Sequence, residues 1–477
     1  MKNQETSEVE ISRKSPHLLV ALFPVVFLII FLYFAVIRYK QSPHIPLVMA
    51  TAAAVILSRI AGIKWEETLN TIVRNITSTL GSILLLMTVG LLIASWIQGG
   101  IVPALIYYGF DLVSPRFFLF TSALVSALVS LATGSSWSTA GTMGLALMGL
   151  GAGLGVNPAM TAGAIVSGAY FGDKMSPLSD TTNLAPAVAG SDLFTHIRHM
   201  AFTTTPSLVI SLILYLIIGF TLPGGNISSG NIAFTAPLKD AFALHPVLLL
   251  PPVIVITMVA LKKPALPTLL LGVTLGVTAS ILIQNNNFFS TLSVIKKGYI
   301  SNTGVKSIDS LLSRGGLDSM MDTVALILCA VSFGGAMDAG GFLKKITFSI
   351  LKLVKGTGSL VTATIFTAIG VNILAGDQYI AIVLPGRMYK ASYKKMGLDP
   401  RNLSRALEDS ATLTSPLIPW NTCGAFMWTT LGVFPLYYLP FAFLNLLNPL
   451  ISIIYGFTGF TMTPLDSSAP QPPNEDT

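Results

Sequence analysis

Five acidic side chains lie within or beside apolar stretches of the 477-residue chain: Asp173, Asp180, Asp377, Glu408 and Asp409. A carboxylate inside a membrane is costly, so its presence there indicates a function. Such groups bind small cations, and their removal from water favours uptake of a proton. We therefore take Asp173 and Asp180 as candidate Na⁺ ligands. The candidate proton carriers are Asp173, Asp377, Glu408 and Asp409.

Hydroxyl and amide oxygens are concentrated around the same acidic residues. Hard cations prefer such oxygen ligands. A single Ser or Thr in a membrane helix more often bonds to the preceding turn or packs against a neighbouring helix. As a group, however, they predict an ion- or substrate-binding site. Its candidate residues are Ser135, Ser136, Asp173, Ser176, Ser179, Asp180, Thr181, Thr182, Asn183, Asp377, Thr414, Ser415 and Asn421.

Gly and Pro interrupt the chain at the same places, around Gly134, Pro177, Gly376 and Pro416. A broken helix leaves backbone groups unpaired. In a bilayer this is tolerated only where the backbone is buried in protein or lines a wet cavity. The pattern predicts interrupted helices that meet near the middle of the membrane.

The composition places these residues in a membrane protein. Hydrophobic residues make up 52% of the chain and charged residues only 10%, against about 25% charged in soluble domains. Apolar runs such as 17–37, 200–222 and 264–283 approach the roughly 20 residues that span a bilayer. We predict an all-α polytopic fold with roughly 10–14 spanning or re-entrant helices.

Five short motifs recur in the same order in the two halves of the chain. Their spacing is nearly constant in the middle pairs: Gly99 and Gly340 are 241 residues apart, and Thr133 and Ala375 are 242 apart. The two halves are therefore predicted to be related repeats. The pairs are 43–46 with 264–267, 98–100 with 339–341, 133–135 with 375–377, 155–158 with 397–400, and 176–178 with 415–417.

The distribution of basic residues favours an inverted arrangement of the halves. Range 387–405 holds six basic residues, whereas its counterpart 145–160 holds none. Opposite placement of the two would satisfy the rule that positive loops stay inside. This topology places both termini in the cytoplasm. It also puts 19 of the 28 basic residues in the cytoplasmic segments 1–16, 59–80, 191–199, 262–263, 344–355 and 387–405.

The predicted organisation has five parts. They are a cytoplasmic tail (1–15), a first transmembrane repeat (16–222), an extracytoplasmic linker (223–243), a second, inverted repeat (244–460) and a disordered tail (461–477). The net charge of +7 follows from the basic loops, and no nucleic acid is expected. Cys329 and Cys423 lie in apolar segments and are expected to be packing residues. His196 and His199 are expected to be solvated in a short loop.

Two motifs resemble those of a known family. Residues 134–144 (GSSWSTAGTMG) and 168–186 (GAYFGDKMSPLSDTTNLAP) are similar to the NhaC-type Na⁺/H⁺ antiporter family of bacteria. The resemblance extends from the first apolar run to about Gly456. It implies exchange of Na⁺ for H⁺ across the cytoplasmic membrane, with no cofactor besides the transported ions. The family also includes members resembling malate/lactate exchangers, so the substrate stays open between Na⁺ alone and Na⁺ with an organic acid.

The residues suggest a working mechanism. Asp173, Asp180 and nearby hydroxyls would bind Na⁺, while Asp377 or the adjacent Glu408 and Asp409 would carry protons. A structural alternative pairs Asp173 with Lys174 or Arg198. An organic anion would need a cationic partner, for which Lys174 is a candidate. The expected partners are the lipid bilayer, Na⁺ and H⁺, with small carboxylates and a homodimer as open alternatives.

Other classes fit the sequence less well. An intramembrane aspartyl protease is a rival because Gly-Asp pairs occur at 172–173 and 376–377. The fuller Gly-x-Gly-Asp pattern is absent, since Tyr170 and Leu374 occupy the place of the first glycine. A passive channel is the remaining rival, and saturable proton-coupled flux would exclude it.

Overall fold

A computed structural model describes residues 16–39, 41–109, 114–222, 235–261 and 263–465 of the protein. Tail segments 1–15 and 466–477, and residues 223–234 of the predicted linker, lie outside these ranges. Within them the structure contains no sheet. The one extended pairing there is an isolated antiparallel bridge between Leu398 and Pro464. The predicted all-α fold is confirmed.

The helices of the described ranges are mostly α-helical, with short π and 3-10 segments at several junctions. The π segments are Tyr33–Arg38, Ala140–Gly144 and Glu408–Thr412, and the 3-10 turns are Pro115–Phe117, Pro246–Leu249, Ser415–Leu417 and Leu439–Phe441. In chain order the α-helices are α1 Leu18–Leu32, α2 His44–Ile60, α3 Trp65–Gln98, α4 Ile101–Gly109, α5 Phe118–Thr133, α6 Ser136–Thr139, α7 Leu145–Gly153, α8 Pro158–Met175, α9 Asp180–Ala189, α10 Leu193–Thr221, α11 Thr235–Ala241, α12 Leu250–Ala260, α13 Ala265–Leu282, α14 Phe288–Lys297, α15 Lys306–Leu312, α16 Leu317–Ala339, α17 Phe342–Leu351, α18 Thr357–Ala375, α19 Gln378–Lys395, α20 Pro400–Leu407, α21 Thr422–Leu431, α22 Pro435–Tyr438 and α23 Phe443–Thr458.

Seven helices in the described part of the chain are long and apolar enough to cross a membrane. The number rises to nine if each of two bent pairs is one span. Thr235–Ala241 is bent by 104° against Pro246–Met258, and Pro435–Phe441 by 62° against Phe443–Thr458. Helices α8 and α19, each 18 residues long, are not among the seven; α8 carries Asp173 and Lys174 near its end, and α19 carries several basic residues. The predicted 10–14 helices included re-entrant helices of this kind. The protein is a multi-pass membrane protein.

One helix in each half stops abruptly at a glycine and restarts after a capping residue. Helix α5 ends at Gly134, whose φ is 68°, and Ser135 then accepts a hydrogen bond from the backbone of the new helix. Helix α18 ends at Gly376, whose φ is 64°, and Asp377 caps α19 in the same way. A left-handed glycine followed by an extended N-cap is a local stop-and-restart signal. The predicted interruptions at both places are confirmed.

The backbone also agrees at another pair of matched motifs. Gly155 and Gly397 both have positive φ values, 71° and 66°. Two residues later, Asn157 and Asp399 each cap a helix whose first residue is proline. These agreements support the prediction that the two halves of the chain are related repeats. The inversion of one half relative to the other stays a prediction.

Each half joins its two broken regions to each other. In the first half, a Cβ on Gly134 would lie 2.6 Å from the Cβ of Leu178, in the turn between α8 and α9. In the second half, the amide of Thr422 donates to the carbonyl oxygen of Gly376 at 2.8 Å. The end of one interrupted helix therefore lies against the beginning of the next. Backbone groups freed by one break can find partners in the other.

Two expectations about surface segments were wrong. His196 and His199 belong to α10, where they are 0% and 5% exposed, rather than to a solvated loop. Their burial follows from where the helix begins. Asp192 caps α10, so both histidines belong to its first turns and lie on its buried face.

Residues 461–465, which were assigned to a disordered tail, have defined contacts. The amide of Asp399 donates to the carbonyl of Thr463 at 3.0 Å, and Leu465 donates to Gly397 at 2.7 Å. The chain therefore folds back against the start of α20 because its backbone pairs there.

Helix α8, which carries Asp173, packs closely against α5 through two glycines. A Cβ on Gly168 would lie 2.1 Å from the carbonyl oxygen of Ala123, and one on Gly172 would lie 2.2 Å from the amide nitrogen of Leu131. Small residues four apart let membrane helices approach at backbone distance. This contact fixes the position of α8 against the first interrupted helix.

We expect Gly168→Ala to destabilise the protein, since the added methyl group would overlap the α5 backbone. Overpacking of this kind costs about 1–3 kcal/mol. The melting temperature in detergent, followed by size-exclusion chromatography after heating, measures the loss. Gly370→Ala is the matched control because no heavy atom would lie within 4 Å of its new Cβ. Equal melting temperatures for the two variants would contradict the close contact.

Candidate functional site

A polar cavity of about 330 Å³ lies where the broken regions of both halves meet. Its lining comes from the α5–α6 break, the end of α8, the start of α9, the start of α19 and the start of α21. Lys263 is exposed and also lines the cavity, which therefore reaches the protein surface there. The lining residues are Ser82, Leu85, Thr133, Gly134, Ser135, Trp137, Asp173, Leu178, Ser179, Asp180, Thr181, Lys263, Pro264, Ala265, Gln378, Tyr379, Thr422 and Cys423.

Both carboxylate oxygens of Asp173 accept hydrogen bonds from hydroxyl groups at this cavity. Ser136 donates to its Oδ2 at 2.5 Å, and Ser179 donates to its Oδ1 at 2.6 Å. Ser179 Oγ also lies 3.2 Å from Thr181 Oγ1. Asp173 is 9% exposed, so it is almost enclosed by protein while still lining the cavity. Three hydroxyl groups and a carboxylate thus converge from helices α6, α8 and α9.

The turn between α8 and α9 fixes the geometry around Asp173. Thr182 donates to the carbonyl oxygens of Asp173 and Lys174 at 3.0 and 2.9 Å. These carbonyls belong to the last turn of α8, whose final carbonyls have no partner within the helix. Asp180 begins α9, lines the cavity and is exposed. The predicted ligands Asp173 and Asp180 therefore belong to one cavity, with Asp180 in its more open part.

The second half contributes a network centred on Gln378, directly after Asp377. Ser415 and Cys423 both donate to Gln378 Oε1, each at 2.8 Å. Asp377 is 1% exposed and uses Oδ1 to cap α19, while its Oδ2 has no hydrogen-bond partner among the described residues. Cys423 was expected to be only a packing residue, but its thiol is part of the cavity wall.

Asn372 connects two of the predicted polar residues of the second half. Its amide donates to Thr414 Oγ1 at 3.1 Å, and Asn421 donates to Asn372 Oδ1 at 3.1 Å. Neither Thr414 nor Asn421 lines the cavity. They hold the second break in place, as Ser176 does in the first half by accepting from the amide of Leu178 at 3.3 Å. Asn183, which is exposed, donates to the same turn, to Pro177 and Ser179.

A second charged cluster is fully buried beside the cavity. Lys174 donates to Asp409, and it also donates to Asn448 at 3.0 Å. Thr203 donates to the same oxygen of Asp409 at 3.0 Å, while Arg405 Nε lies 4.0 Å from the other. Asp173 therefore pairs with neither Lys174 nor Arg198, contrary to the structural alternative; Lys174 is bound to Asp409 instead, and Arg198 is exposed.

Glu408 occupies the π segment between α20 and the second break. It is 0% exposed, and neither of its carboxyl oxygens has a hydrogen-bond partner among the described residues. Asp338, an acidic residue at the end of α16, lies elsewhere, 3.8 Å from Arg74. The structure thus brings Asp173, Glu408 and Asp409 into one region of the interior.

Sequence reasoning missed Lys174 as a buried charge, as well as Arg405, which was counted as part of a basic cytoplasmic loop. Range 387–405 includes the end of α19 and most of α20, and Arg405 is only 1% exposed. The signal available in the sequence was the position of Lys174 beside Asp173 in an otherwise apolar helix. The stack of Trp137 on Phe426, with ring centroids 4.0 Å apart, was not predicted either.

The ligand chemistry of the cavity suits an alkali cation. The hydroxyl groups of Ser179 and Thr181 and the carboxylates of Asp173 and Asp180 lie in its wall, and such oxygens bind hard cations. Among the described residues, no three His, Cys, Asp or Glu side chains converge to hold a metal ion. The cavity therefore offers the kind of site that unwound membrane helices form around Na⁺.

A multi-pass helical protein with interrupted helices and buried charges around a polar cavity has the architecture of a secondary transporter. Comparison with known proteins identifies the family. The model of the Na⁺/H⁺ antiporter family matches residues 168–460, starting at the second sequence motif. The chain belongs to this family and is a transporter rather than an enzyme.

Three relatives illustrate the range of the family. The Na⁺/H⁺ antiporter NhaC of Alkalihalophilus pseudofirmus is 40% identical over 421 residues, which is 88% of this chain and 91% of the relative. The malate-2H⁺/Na⁺-lactate antiporter of Bacillus subtilis is 36% identical over 89% of this chain and 92% of its own length. The arginine/ornithine antiporter ArcD of Halobacterium salinarum is 38% identical over 94% and 93%.

We expect Ser136→Ala and Ser179→Ala to weaken Na⁺ binding, because each removes a hydroxyl that holds the Asp173 carboxylate in position. A hydrogen bond to a charged group contributes about 1.5 kcal/mol or more, so the half-saturating Na⁺ concentration should rise roughly tenfold. Initial rates of ²²Na⁺ uptake against Na⁺ concentration measure the effect. Ser138→Ala, on the same short helix but without a bond to Asp173, should match the wild type. Unchanged half-saturation in both test variants would contradict the role of the two hydroxyls.

Proposed function

We propose that the protein exchanges Na⁺ for H⁺ across the cytoplasmic membrane of a bacterium, with Na⁺ bound beside Asp173. The observation that carries this proposal is the pair of hydroxyl groups, from Ser136 and Ser179, that hold both oxygens of Asp173 at the cavity wall. A cation entering the cavity meets a fixed carboxylate and oriented hydroxyls. Little reorganisation is needed for these oxygens to replace its water shell.

Electrostatics favours a cation over an anion in this cavity. Asp173 and Asp180 both line it, while Lys263 is the one basic residue among its lining. Carboxylates inside a membrane attract counter-ions strongly because few waters screen them. The cavity is therefore suited to concentrate a small cation next to Asp173.

The open side of the cavity suggests which conformation the structure represents. Lys263 lies in segment 262–263, which the charge pattern places on the cytoplasmic side. Since the cavity reaches the surface at Lys263, we interpret the conformation as inward-open. Transport then requires a second conformation that opens to the other side, which inverted repeats can provide by exchanging the shapes of their halves.

Exchange follows if Na⁺ and protons exclude each other and the empty, unprotonated protein does not reorient. Asp173, Asp377, Glu408 and Asp409 are the candidates to carry the proton. All four are at most 9% exposed, so their charges are poorly compensated by water. A group of this kind is stabilised by a proton or by a bound cation.

A second candidate function is exchange of small organic acids together with Na⁺ and H⁺. The volume of about 330 Å³ exceeds that needed for a bare Na⁺ ion, and Lys263 could pair with a carboxylate. One relative is named a malate/lactate exchanger. Uptake of labelled malate or lactate into proteoliposomes under a Na⁺ gradient tests this function. Na⁺-dependent uptake would support it, whereas Na⁺/H⁺ exchange without any effect of either acid would exclude it.

The cytoplasmic location of both termini belongs to the same proposal, as it rests on the distribution of basic residues. A homodimer is a further expectation.

Asp173→Asn should abolish Na⁺-dependent proton movement in everted membrane vesicles. The amide neither supplies negative charge to Na⁺ nor takes up and releases a proton near neutral pH. Fluorescence of a pH-sensitive dye after addition of NaCl measures the exchange, and immunoblotting of the membranes checks expression. Asp318→Asn, which changes an exposed residue in the first turn of α16, should exchange normally. Wild-type exchange by the Asp173 variant would refute the proposed site.

A further inference from the structure

The buried charges beside the cavity form a second cluster, which does not include the proposed Na⁺ ligands Asp173 and Asp180. Lys174 and Arg405 supply two positive charges, and Glu408 and Asp409 supply two negative charges, each residue being no more than 1% exposed. Asp409 is the hub of the cluster, because Lys174, Thr203 and Arg405 all approach it. Glu408, its neighbour in the chain, has no well-formed hydrogen bond in the described ranges, and the hydroxyl groups of Thr412 and Thr181 lie close to it.

The cluster touches the cation cavity through Glu408 and α8. Glu408 lies within electrostatic reach of both Lys174 and Asp173. Thr181, which lines the cavity, is also close to Glu408. Helix α8 connects the two sites covalently, since Asp173 faces the cavity and Lys174 is held by Asp409. A change of charge at Glu408 is therefore felt by a cation next to Asp173.

The buried charges of the two sites do not cancel; Asp180 and Lys263, which also line the cavity, are exposed and stand outside this balance. Asp173, Glu408 and Asp409 together carry three negative charges when ionised, against the two positive charges of Lys174 and Arg405. Asp377 is apart from this balance because it caps α19, where the helix N-terminus supports a negative charge. One uncompensated negative charge inside a membrane is strongly unfavourable. A proton on Glu408 removes it, and so does a Na⁺ ion next to Asp173.

We propose that Glu408 is the proton-binding residue of the exchange, in a site separate from the Na⁺ site, and that Lys174 and Asp409 are its positioning residues. The ion pair holds the interior in place while Glu408 gains or loses its proton. Na⁺ binding next to Asp173 and protonation of Glu408 then exclude each other through charge rather than by sharing one carboxylate. This inference rests on the proposed Na⁺/H⁺ exchange and deepens it.

The surroundings of the cluster supply polar groups on several sides. Thr412, on the same π segment as Glu408, places its buried hydroxyl group close to the Glu408 carboxyl group. From α10 come Thr203, His196 and His199, and His199 Nε2 lies 3.3 Å from Arg405. From α23 comes Asn448, and from α19 comes Tyr393, which is near Arg405 and Asp409. None of them is a carboxylate, so Glu408 and Asp409 are the acidic groups of this cluster.

Glu408→Gln tests the proposal because the amide imitates the protonated acid permanently. We compare two reactions of purified protein in proteoliposomes: ²²Na⁺ uptake driven by a pH gradient, and ²²Na⁺/Na⁺ exchange at equal pH on both sides. In wild-type protein the half-saturating Na⁺ concentration of the second reaction should fall as the pH rises. In Glu408→Gln, uptake driven by the pH gradient should be lost. Na⁺/Na⁺ exchange should persist at saturating Na⁺ with a half-saturating concentration that no longer depends on pH.

Control variants separate this result from damage to the fold. Glu408→Met, which removes charge and hydrogen bonding at similar volume, should behave like Glu408→Gln, and Glu408→Asp should restore the pH dependence. Glu66→Gln, an exposed residue at the start of α3, should match the wild type. Both neutral variants retaining the pH dependence would overturn the proposal. A second result would also overturn it: a neutral variant that reaches the membrane loses both reactions, while Glu408→Asp behaves normally. Glu408 would then be part of the Na⁺ site.

The wild-type result distinguishes failure of the proposed Na⁺/H⁺ exchange from failure of the separate proton site. Absence of any ²²Na⁺ flux in wild-type protein would refute the proposed function itself. Flux in both reactions of the wild type, with an unaltered pH profile in the Glu408 variants, would leave the exchange intact and refute only the separate proton site.

Discussion

The requirement that every backbone polar group be paired inside a membrane governs this structure. Helices α5 and α18 stop at Gly134 and Gly376, and each stop leaves carbonyl and amide groups without partners in the helix. In the second half the other break supplies such a contact, because Thr422 donates to the carbonyl of Gly376; in the first half Gly134 packs directly against Leu178 of the other break. The two breaks of each half must therefore stay together. Their meeting point brings side-chain oxygens from distant parts of the chain into one cavity.

The breaks and the carboxylates could be predicted because their causes are local. Gly134 and Gly376 favour a left-handed backbone that ends a helix, whatever the tertiary fold. Asp173 and Glu408 were identified because a charge in an apolar run is costly in any membrane protein. Matched motifs in the two halves gave the same breaks twice. The backbone at both confirms the interruptions, while the inversion of the halves is still a prediction.

The charge pairing could not be predicted because it depends on tertiary packing. Lys174 and Asp409 are 235 positions apart in the chain, and nothing near either residue indicates its partner. Arg405 was misplaced for a related reason, since its basic neighbours suggested a loop but α20 turns it inward. His196 and His199 were expected to be solvated because the apolar run begins only at residue 200. Helix α10 already begins at Leu193, so both histidines lie within it. Local sequence determines where helices stop, but the choice of buried partners needs the assembled bundle.

The two charged sites together explain how one small interior can serve two cations. In the proposed exchange, the cavity gives Na⁺ access to Asp173, while Glu408 is fully buried near the ion pair of Lys174 and Asp409. Helix α8 carries both sites on consecutive residues, Asp173 and Lys174. Because both residues belong to α8, which packs closely on α5, the two sites cannot move independently. Mutual exclusion of Na⁺ and H⁺ then follows from charge balance in a region where uncompensated charge is unfavourable.

Calorimetry of Na⁺ binding to the purified wild-type protein tests this account most directly. NaCl is titrated into the protein at one pH in two buffers that differ in ionisation enthalpy, with choline chloride as the control for ionic strength. The account predicts that Na⁺ binding releases protons, so the observed heat will differ between the buffers in proportion to their ionisation enthalpies. Na⁺ binding with the same heat in both buffers, and hence without proton release, would contradict it.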